Sequence, residues 1–128
     1  MTDSVLLDTS VIIDFLRAKN RNETKFYKLA EKGVNLYISI LTYAELHAGK
    51  SVWENQKALY SLQKILSGLT VIYLTEVTAR EAGRIRATYK LDLIDSIIAA
   101  TALEKDISLA TLNTKHFTKV TGLNVIRY

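Results

Sequence analysis

The stretch that decides the fold is "SVLLDTSVIIDF", residues 4–15. Its first apolar run, Val5-Leu6-Leu7, is typical of a short buried strand, and a second apolar run with helical spacing begins at Val11. Asp8 stands between the two. An ionised aspartate is seldom buried without a partner, because removing its charge from water is costly. The stretch therefore predicts a strand followed by a helix, with a carboxylate at the junction that needs a partner.

The rest of the chain continues this alternation of strands and helices. The apolar patterns predict strands at 4–8, 35–40, 70–74, 107–110 and 124–128. They predict helices at 11–18, 23–32, 52–67, 76–90 and 94–104, a helix from Leu41 that ends near Gly49, and a short turn or helix near 113–118. Strands separated by helices indicate an α/β fold, with a mostly parallel sheet covered on both faces.

Composition limits the function classes. With 128 residues, we expect a single domain, 1–128, and its 48% hydrophobic and 23% charged residues indicate a globular chain. The absence of cysteine excludes disulfides, thiolate metal sites and a cysteine nucleophile. The start lacks a basic signal segment, and no apolar run approaches the ~18 residues of a membrane span, so we expect a soluble cytoplasmic protein without membrane contact. A net charge of +4 leans towards a polyanionic partner.

Three further acidic residues are the candidates to lie near Asp8. Glu45, Asp92 and Asp95 each occur among apolar or small residues, and the crevice of an open parallel sheet lies beyond the carboxyl ends of its strands. Carboxylates brought together raise one another's pKa, and a bound cation is the usual way to keep several ionised. Oxygen ligands without cysteine or paired histidine favour Mg²⁺ or Mn²⁺ over zinc.

Each candidate also has a purely structural interpretation. Thr42 and Glu45 fit a capping box that closes a helix start, and Asp92 is best interpreted as the N-cap of the helix that carries Asp95. Thr9 and Ser10 either cap the first helix or orient Asp8.

Three other polar residues have equally ordinary explanations. Asn113 suits a turn. His47 and His116 lack partners at metal-ligand spacing, and a lone histidine is usually an ordinary surface or core residue.

Four segments taken together are more specific than any single residue. "LLDTSVIIDFL", "SILTYAELHAG", "LDLIDSIIAATALEKD" and "LATLNTKHFTKVTGLNVI" follow one another across nearly the whole chain. In this order they resemble the PIN-domain family, and most of all the VapC-type toxins of type II prokaryotic toxin–antitoxin pairs. The resemblance implies a three-layer α/β/α fold and a metal-dependent endoribonuclease that cleaves RNA phosphodiester bonds.

The resemblance also implies roles for individual residues. Asp8, Glu45 and Asp95 match the family's acidic metal ligands for Mg²⁺ or Mn²⁺, and Thr9 matches the hydroxyl that follows the first of them. Asn113 stands where many members carry a fourth acidic residue. An asparagine can hydrogen-bond a metal-bound water but adds no charge, so the resemblance leaves open whether the site holds one metal ion or two.

The same resemblance implies partners. They are an RNA substrate, a cognate antitoxin protein that covers the crevice, and a second copy of the chain in a homodimer. Lysine and arginine at the rim would engage RNA phosphates, and Lys115, Lys90 and Arg86 are the candidates.

Two other classes of function stay open at this point. A phosphoaspartyl phosphatase or receiver domain also places an aspartate after a strand, but the phosphatase needs a second aspartate at the position of Ser10. A receiver needs its aspartate after a middle strand, and neither "NLYISI" nor "TVIYL" ends in one. The second alternative is a catalytically inactive PIN-like interaction module, which Asn113 and the modest charge allow.

Overall fold

The structure, a computed structural model, describes residues 3–126. Its centre is a sheet of five strands in the order β3-β2-β1-β4-β5, and every neighbouring pair is parallel. The strands are β1 (Ser4–Leu7), β2 (Asn35–Ser39), β3 (Thr70–Ile72), β4 (Ser108–Ala110) and β5 (Val125–Ile126). The predicted α/β class with a mostly parallel sheet is confirmed, and β1 lies at its middle.

Eight helices connect and cover these strands within residues 3–126. They are α1 (Thr9–Arg17), α2 (Lys25–Glu31), α3 (Ile40–Leu46), α4 (Lys50–Glu54), α5 (Gln56–Leu66), α6 (Glu76–Tyr89), α7 (Leu93–Lys105) and α8 (Thr114–Phe117), with a 3-10 turn at Arg21–Glu23 before α2. None of them is long and apolar enough to cross a membrane.

The boundaries differ from the predicted ones where a polar residue caps a helix. The helix predicted over 52–67 is two helices, because the Asn55 side chain accepts hydrogen bonds from the backbone N–H groups of Lys57 and Ala58 and begins α5 there. Gly49 does not end α3. It is the N-cap of α4, and α3 ends at Leu46. The predicted last strand is observed at Val125–Ile126, and residues 127–128 lie outside the described residues.

Alternation along β1 produces two hydrophobic cores, one on each face of the sheet. Leu6 packs with buried residues of α6 and α7, among them Ile85 and Ile98. Val5 and Leu7 point to the opposite face, where Val11, Leu29 and Leu62 form the second core with α1, α2 and α5. Successive side chains of a strand lie on opposite faces, so a continuous apolar run indicates a strand covered twice. The chain therefore has the three layers of an α/β/α fold.

Candidate active site

Asp8 lies immediately beyond β1, at the carboxyl edge of the sheet. Its backbone N–H continues the ladder by donating to the carbonyl of Ala110 at the end of β4, at 2.9 Å. Because β1 and β4 are parallel and Leu7 pairs with Ala110, the residue after β4, Thr111, lies beside Asp8. Asp8 is only 4% exposed. The site thus begins as a nearly buried carboxylate between two adjacent strand ends.

Two hydroxyl groups are the partners that the buried carboxylate of Asp8 requires. Ser10 Oγ and Thr111 Oγ1 each donate to Asp8 Oδ2 at 2.7 Å. Both hydroxyls accept a backbone N–H in turn, from Leu112 at 3.1 Å and Asn113 at 3.0 Å respectively. Of the two explanations for Ser10, orienting Asp8 is the one observed. Two hydrogen bonds to one oxygen of a carboxylate fix its rotamer, and these two leave Oδ1 of Asp8 available.

Glu45 is not the closing residue of a capping box. Helix α3 begins at Ile40, and its cap is Ser39, whose side chain accepts the backbone N–H of Leu41 at 3.1 Å. The capping-box interpretation of Thr42 and Glu45 is therefore wrong, because the helix starts before Thr42.

Glu45 is instead joined to the residue next to Asp8. Thr9 Oγ1 donates to Glu45 Oε1 at 2.6 Å and lies 3.1 Å from Thr42 Oγ1. Thr9 and Thr42 are both buried, whereas Glu45 is exposed. The buried hydroxyl of Thr9 thus ties Glu45 to the Asp8 end of β1.

Asp92 and Asp95 begin α7 and have different roles. Asp92 Oδ1 accepts the backbone N–H of Asp95 at 2.9 Å, so the N-cap interpretation of Asp92 is confirmed. Burial, and then the negative charges of Asp92 and Asp8, raise the pKa of Asp95 to about 6. Asp8 thus lies near enough to Asp95 for its charge to contribute to this rise in pKa.

His116 is a site residue that the sequence analysis missed. Its Nδ1 lies 3.6 Å from Asp95 Oδ2, and this neighbour partly offsets the rise in the pKa of Asp95. The two residues are distant in sequence, and nothing in the local pattern around His116 distinguishes it from a surface histidine. Thr111 was missed as well, although its place just after a predicted strand was a usable signal.

Asn113 precedes α8 and is exposed, and its side chain makes no capping hydrogen bond. It contacts the site through its backbone N–H to Thr111. Its predicted part in binding metal-bound water therefore stays a prediction.

The three predicted rim residues have different environments, and a further lysine lies at the end of β4. Arg86 donates to the carbonyl of Leu91 at 2.8 Å and so braces the α6–α7 connection. Lys90 ends α6 in a left-handed conformation, with φ 60°, and Lys115 is exposed on α8. Lys25, which the sequence analysis did not consider, donates from Nζ to the carbonyl of Thr111 at 3.2 Å. It places a cation beside the strand end that supports Asp8.

The donor atoms of this crevice suit a hard divalent cation. Carboxylate and hydroxyl oxygens are ligands that Mg²⁺ and Mn²⁺ prefer, and Asp8, Asp95, Thr9, Ser10 and Thr111 supply such oxygens near the end of β1. Among residues 3–126, however, no three acidic or histidine side chains are already close enough to hold one ion. The site has suitable chemistry, with Glu45 turned towards Thr9.

A five-stranded parallel sheet with an acidic crevice at its carboxyl edge defines an α/β protein with a candidate metal site. Comparison with known proteins identifies the family. The PIN domain family matches residues 5–123. Ribonuclease VapC10 of Mycobacterium tuberculosis is 35% identical over 118 residues, which cover 88% of this chain and 85% of that protein. Ribonuclease VapC19 of the same species is 32% identical over 117 residues, covering 88% and 90%. This chain belongs to the PIN domain family.

A solved structure supports the fold. The toxin–antitoxin complex from Klebsiella pneumoniae contains a chain that is 28% identical, with a TM-score of 0.75, and the match covers 96% of both chains. The predicted family and its three-layer fold are thereby confirmed.

Proposed function

We propose that this protein is a VapC-type endoribonuclease, the toxin of a toxin–antitoxin pair, and that it requires Mg²⁺ or Mn²⁺. The observation that carries the proposal is the nearly buried carboxylate of Asp8 at the carboxyl end of the central strand, held there by the hydroxyls of Ser10 and Thr111. Similarity to two ribonucleases over most of their length supports the reaction class.

Asp8, Asp95 and Glu45 would hold the cation. When bound, it supplies a water of lowered pKa and stabilises the charge that develops on the scissile phosphate and its leaving oxygen. Ser10 and Thr111 hold Asp8 in one rotamer through their two hydrogen bonds to Oδ2. Thr9 keeps Glu45 at the edge of the crevice.

Substrate binding follows from the charges around the crevice. Bare carboxylates repel a phosphodiester backbone, so a cation is needed to reverse the local sign before RNA approaches. Lys115 and Lys90 are exposed and suited to contacting phosphates, whereas Arg86 is engaged by the carbonyl of Leu91. A free RNA substrate places the proposed activity in the cytoplasm.

We also propose two protein partners. The structural neighbour from Klebsiella pneumoniae is a toxin–antitoxin complex, and a cognate antitoxin would inhibit this protein by covering the acidic crevice. A second copy of the chain would complete a homodimer. Sedimentation of the purified protein, alone and with the product of a small adjacent reading frame, tests both.

The decisive experiment measures cleavage of a single-stranded RNA with Mn²⁺ or Mg²⁺ and with excess EDTA. We expect cleavage only with the cation, and none from Asp8→Asn, which keeps the shape of the side chain but removes its charge. Asp106→Asn is the matched control, because Asp106 lies at the other end of β4 in a left-handed conformation that asparagine tolerates. Cleavage in EDTA contradicts the cation requirement. No cleavage under any condition favours an inactive interaction module.

A further inference from the structure

The hydroxyl of Thr9 has two acceptors and one proton. It lies 2.6 Å from Glu45 Oε1 and 3.1 Å from Thr42 Oγ1. A hydroxyl donates a single hydrogen, and the shorter contact to an ionised carboxylate is the stronger of the two. In this arrangement the Thr9 hydroxyl donates mainly to Glu45. Thr42 Oγ1 is a second oxygen that can accept the same hydrogen bond.

Thr42 has no other side-chain hydrogen bond within residues 3–126, and its side chain is fully buried. A buried hydroxyl without a partner costs free energy, whereas valine has the same shape and no such cost. The contact with Thr9 is therefore what compensates a hydroxyl at this position.

Glu45 must change partners if it is to join Asp8 and Asp95 around one cation. The described residues contain no ready-made group of three ligands, and Oε1 of Glu45 is engaged by Thr9. When Glu45 turns to a cation, the buried hydroxyl of Thr9 loses its principal acceptor. Thr42, at 3.1 Å, is already placed to accept that hydrogen.

We infer that Thr42 is a positioning residue that accepts a hydrogen bond from the Thr9 hydroxyl when Glu45 is released to the cation. After release, Thr9 and Thr42 still share one hydrogen bond, so neither buried hydroxyl is left without a partner. The inference rests on the cation site proposed above, and it concerns how Glu45 reaches that site.

Calorimetric titration of the purified protein with Mn²⁺ tests the inference without any assay of activity. We expect Thr42→Val to weaken Mn²⁺ binding about tenfold, the cost of one unpaired buried hydroxyl. Thr42→Ser keeps the acceptor and should bind as wild type does. Thr78→Val is the matched control, because Thr78 is buried and donates to Glu104 at 2.6 Å, outside the crevice. It should leave Mn²⁺ binding unchanged.

A second pair of variants makes the test independent of how well Thr42→Val folds. Thr9→Val removes the hydroxyl that donates to Glu45 or Thr42. Because Thr42 acts only through that hydroxyl, Thr9→Val and the double variant Thr9→Val/Thr42→Val should bind Mn²⁺ with equal affinity. The inference is overturned, with the cation site left intact, if Thr42→Val binds Mn²⁺ with wild-type affinity. It is also overturned if the double variant binds Mn²⁺ more weakly than Thr9→Val does. Absence of Mn²⁺ binding by the wild type would instead overturn the proposed cation site itself, and the inference with it.

Discussion

The hydroxyl of Thr111 donates a 2.7 Å hydrogen bond to Oδ2 of Asp8, and the two residues are 103 positions apart in the chain. The contact exists because β1 and β4 are parallel neighbours whose last residues, Leu7 and Ala110, are in register. The fully buried Thr111 therefore supports Asp8 without itself lying among the proposed ligands.

Replacing Thr111 with valine should reduce RNA cleavage about 10- to 100-fold, the usual effect of losing a group that orients a metal ligand. Thr111→Ser retains the hydroxyl and should cleave at close to the wild-type rate. Single-turnover rates at saturating Mn²⁺ measure the effect. Equal rates for the valine variant and wild type would show that Ser10 alone suffices to hold Asp8.

Asp95 makes the cation-free protein less stable as the pH rises. Its pKa is about 6 in the folded chain against an ordinary 3.8, so between these values the folded state binds more protons than the unfolded state. The free energy of unfolding therefore falls as the pH rises through this range. Above it, Asp95→Asn should raise that free energy by about 1–2 kcal/mol at pH 7.

Urea denaturation in EDTA at pH 7 and at pH 4 measures this difference. The gain from Asp95→Asn should shrink at pH 4, where wild-type Asp95 is protonated in the folded state. A gain of the same size at both pH values would mean that the variant stabilises by packing rather than by removing charge.

Asn113→Asp should tighten Mn²⁺ binding by several-fold, because it adds an anionic oxygen near Asp8. Residue 113 lies at the exposed start of α8, and its backbone N–H donates to Thr111, the residue that holds Asp8. Asn55→Asp is the control. It adds the same charge at the α4–α5 junction, where aspartate is an equally good cap. Calorimetry that gives identical affinities for Asn113→Asp and wild type would place residue 113 outside the site.

Local patterns were sufficient to predict the order of strands and helices. Buried positions recur with the period of a strand or a helix, so the spacing of apolar residues indicates the element. This holds for the apolar run before Asp8 and for the apolar positions of each helix. Caps were harder to predict, because several polar residues compete for one helix start. In α3 the N-cap is Ser39 and not Thr42. Asn55 caps α5 and so divides one apolar pattern into two helices. The competition is decided by backbone geometry, which composition does not encode.

The candidate site was predictable in its acidic residues and in the hydroxyls of Thr9 and Ser10 that follow Asp8. Asp8 and Asp95 stand out in the sequence as charges in apolar surroundings, and the parallel sheet explains why Asp8 lies beside Thr111. His116 and Lys25 carry no such mark, since histidine and lysine are common on surfaces. Their positions depend on how α8 and α2 pack beside the strand ends, a relationship between segments distant in sequence.

The measurement that tests the central claim most directly is the pair of properties of Glu45→Gln. Because Ser39 caps α3, the glutamate has no part in starting the helix, and glutamine still offers an oxygen to Thr9. The thermal midpoint in EDTA should therefore stay near that of wild type. Glutamine lacks the negative charge that a hard cation requires, so Mn²⁺-dependent cleavage of RNA should fall to background. A variant that melts like wild type and also cuts RNA at the wild-type rate would contradict the acidic site proposed for this protein.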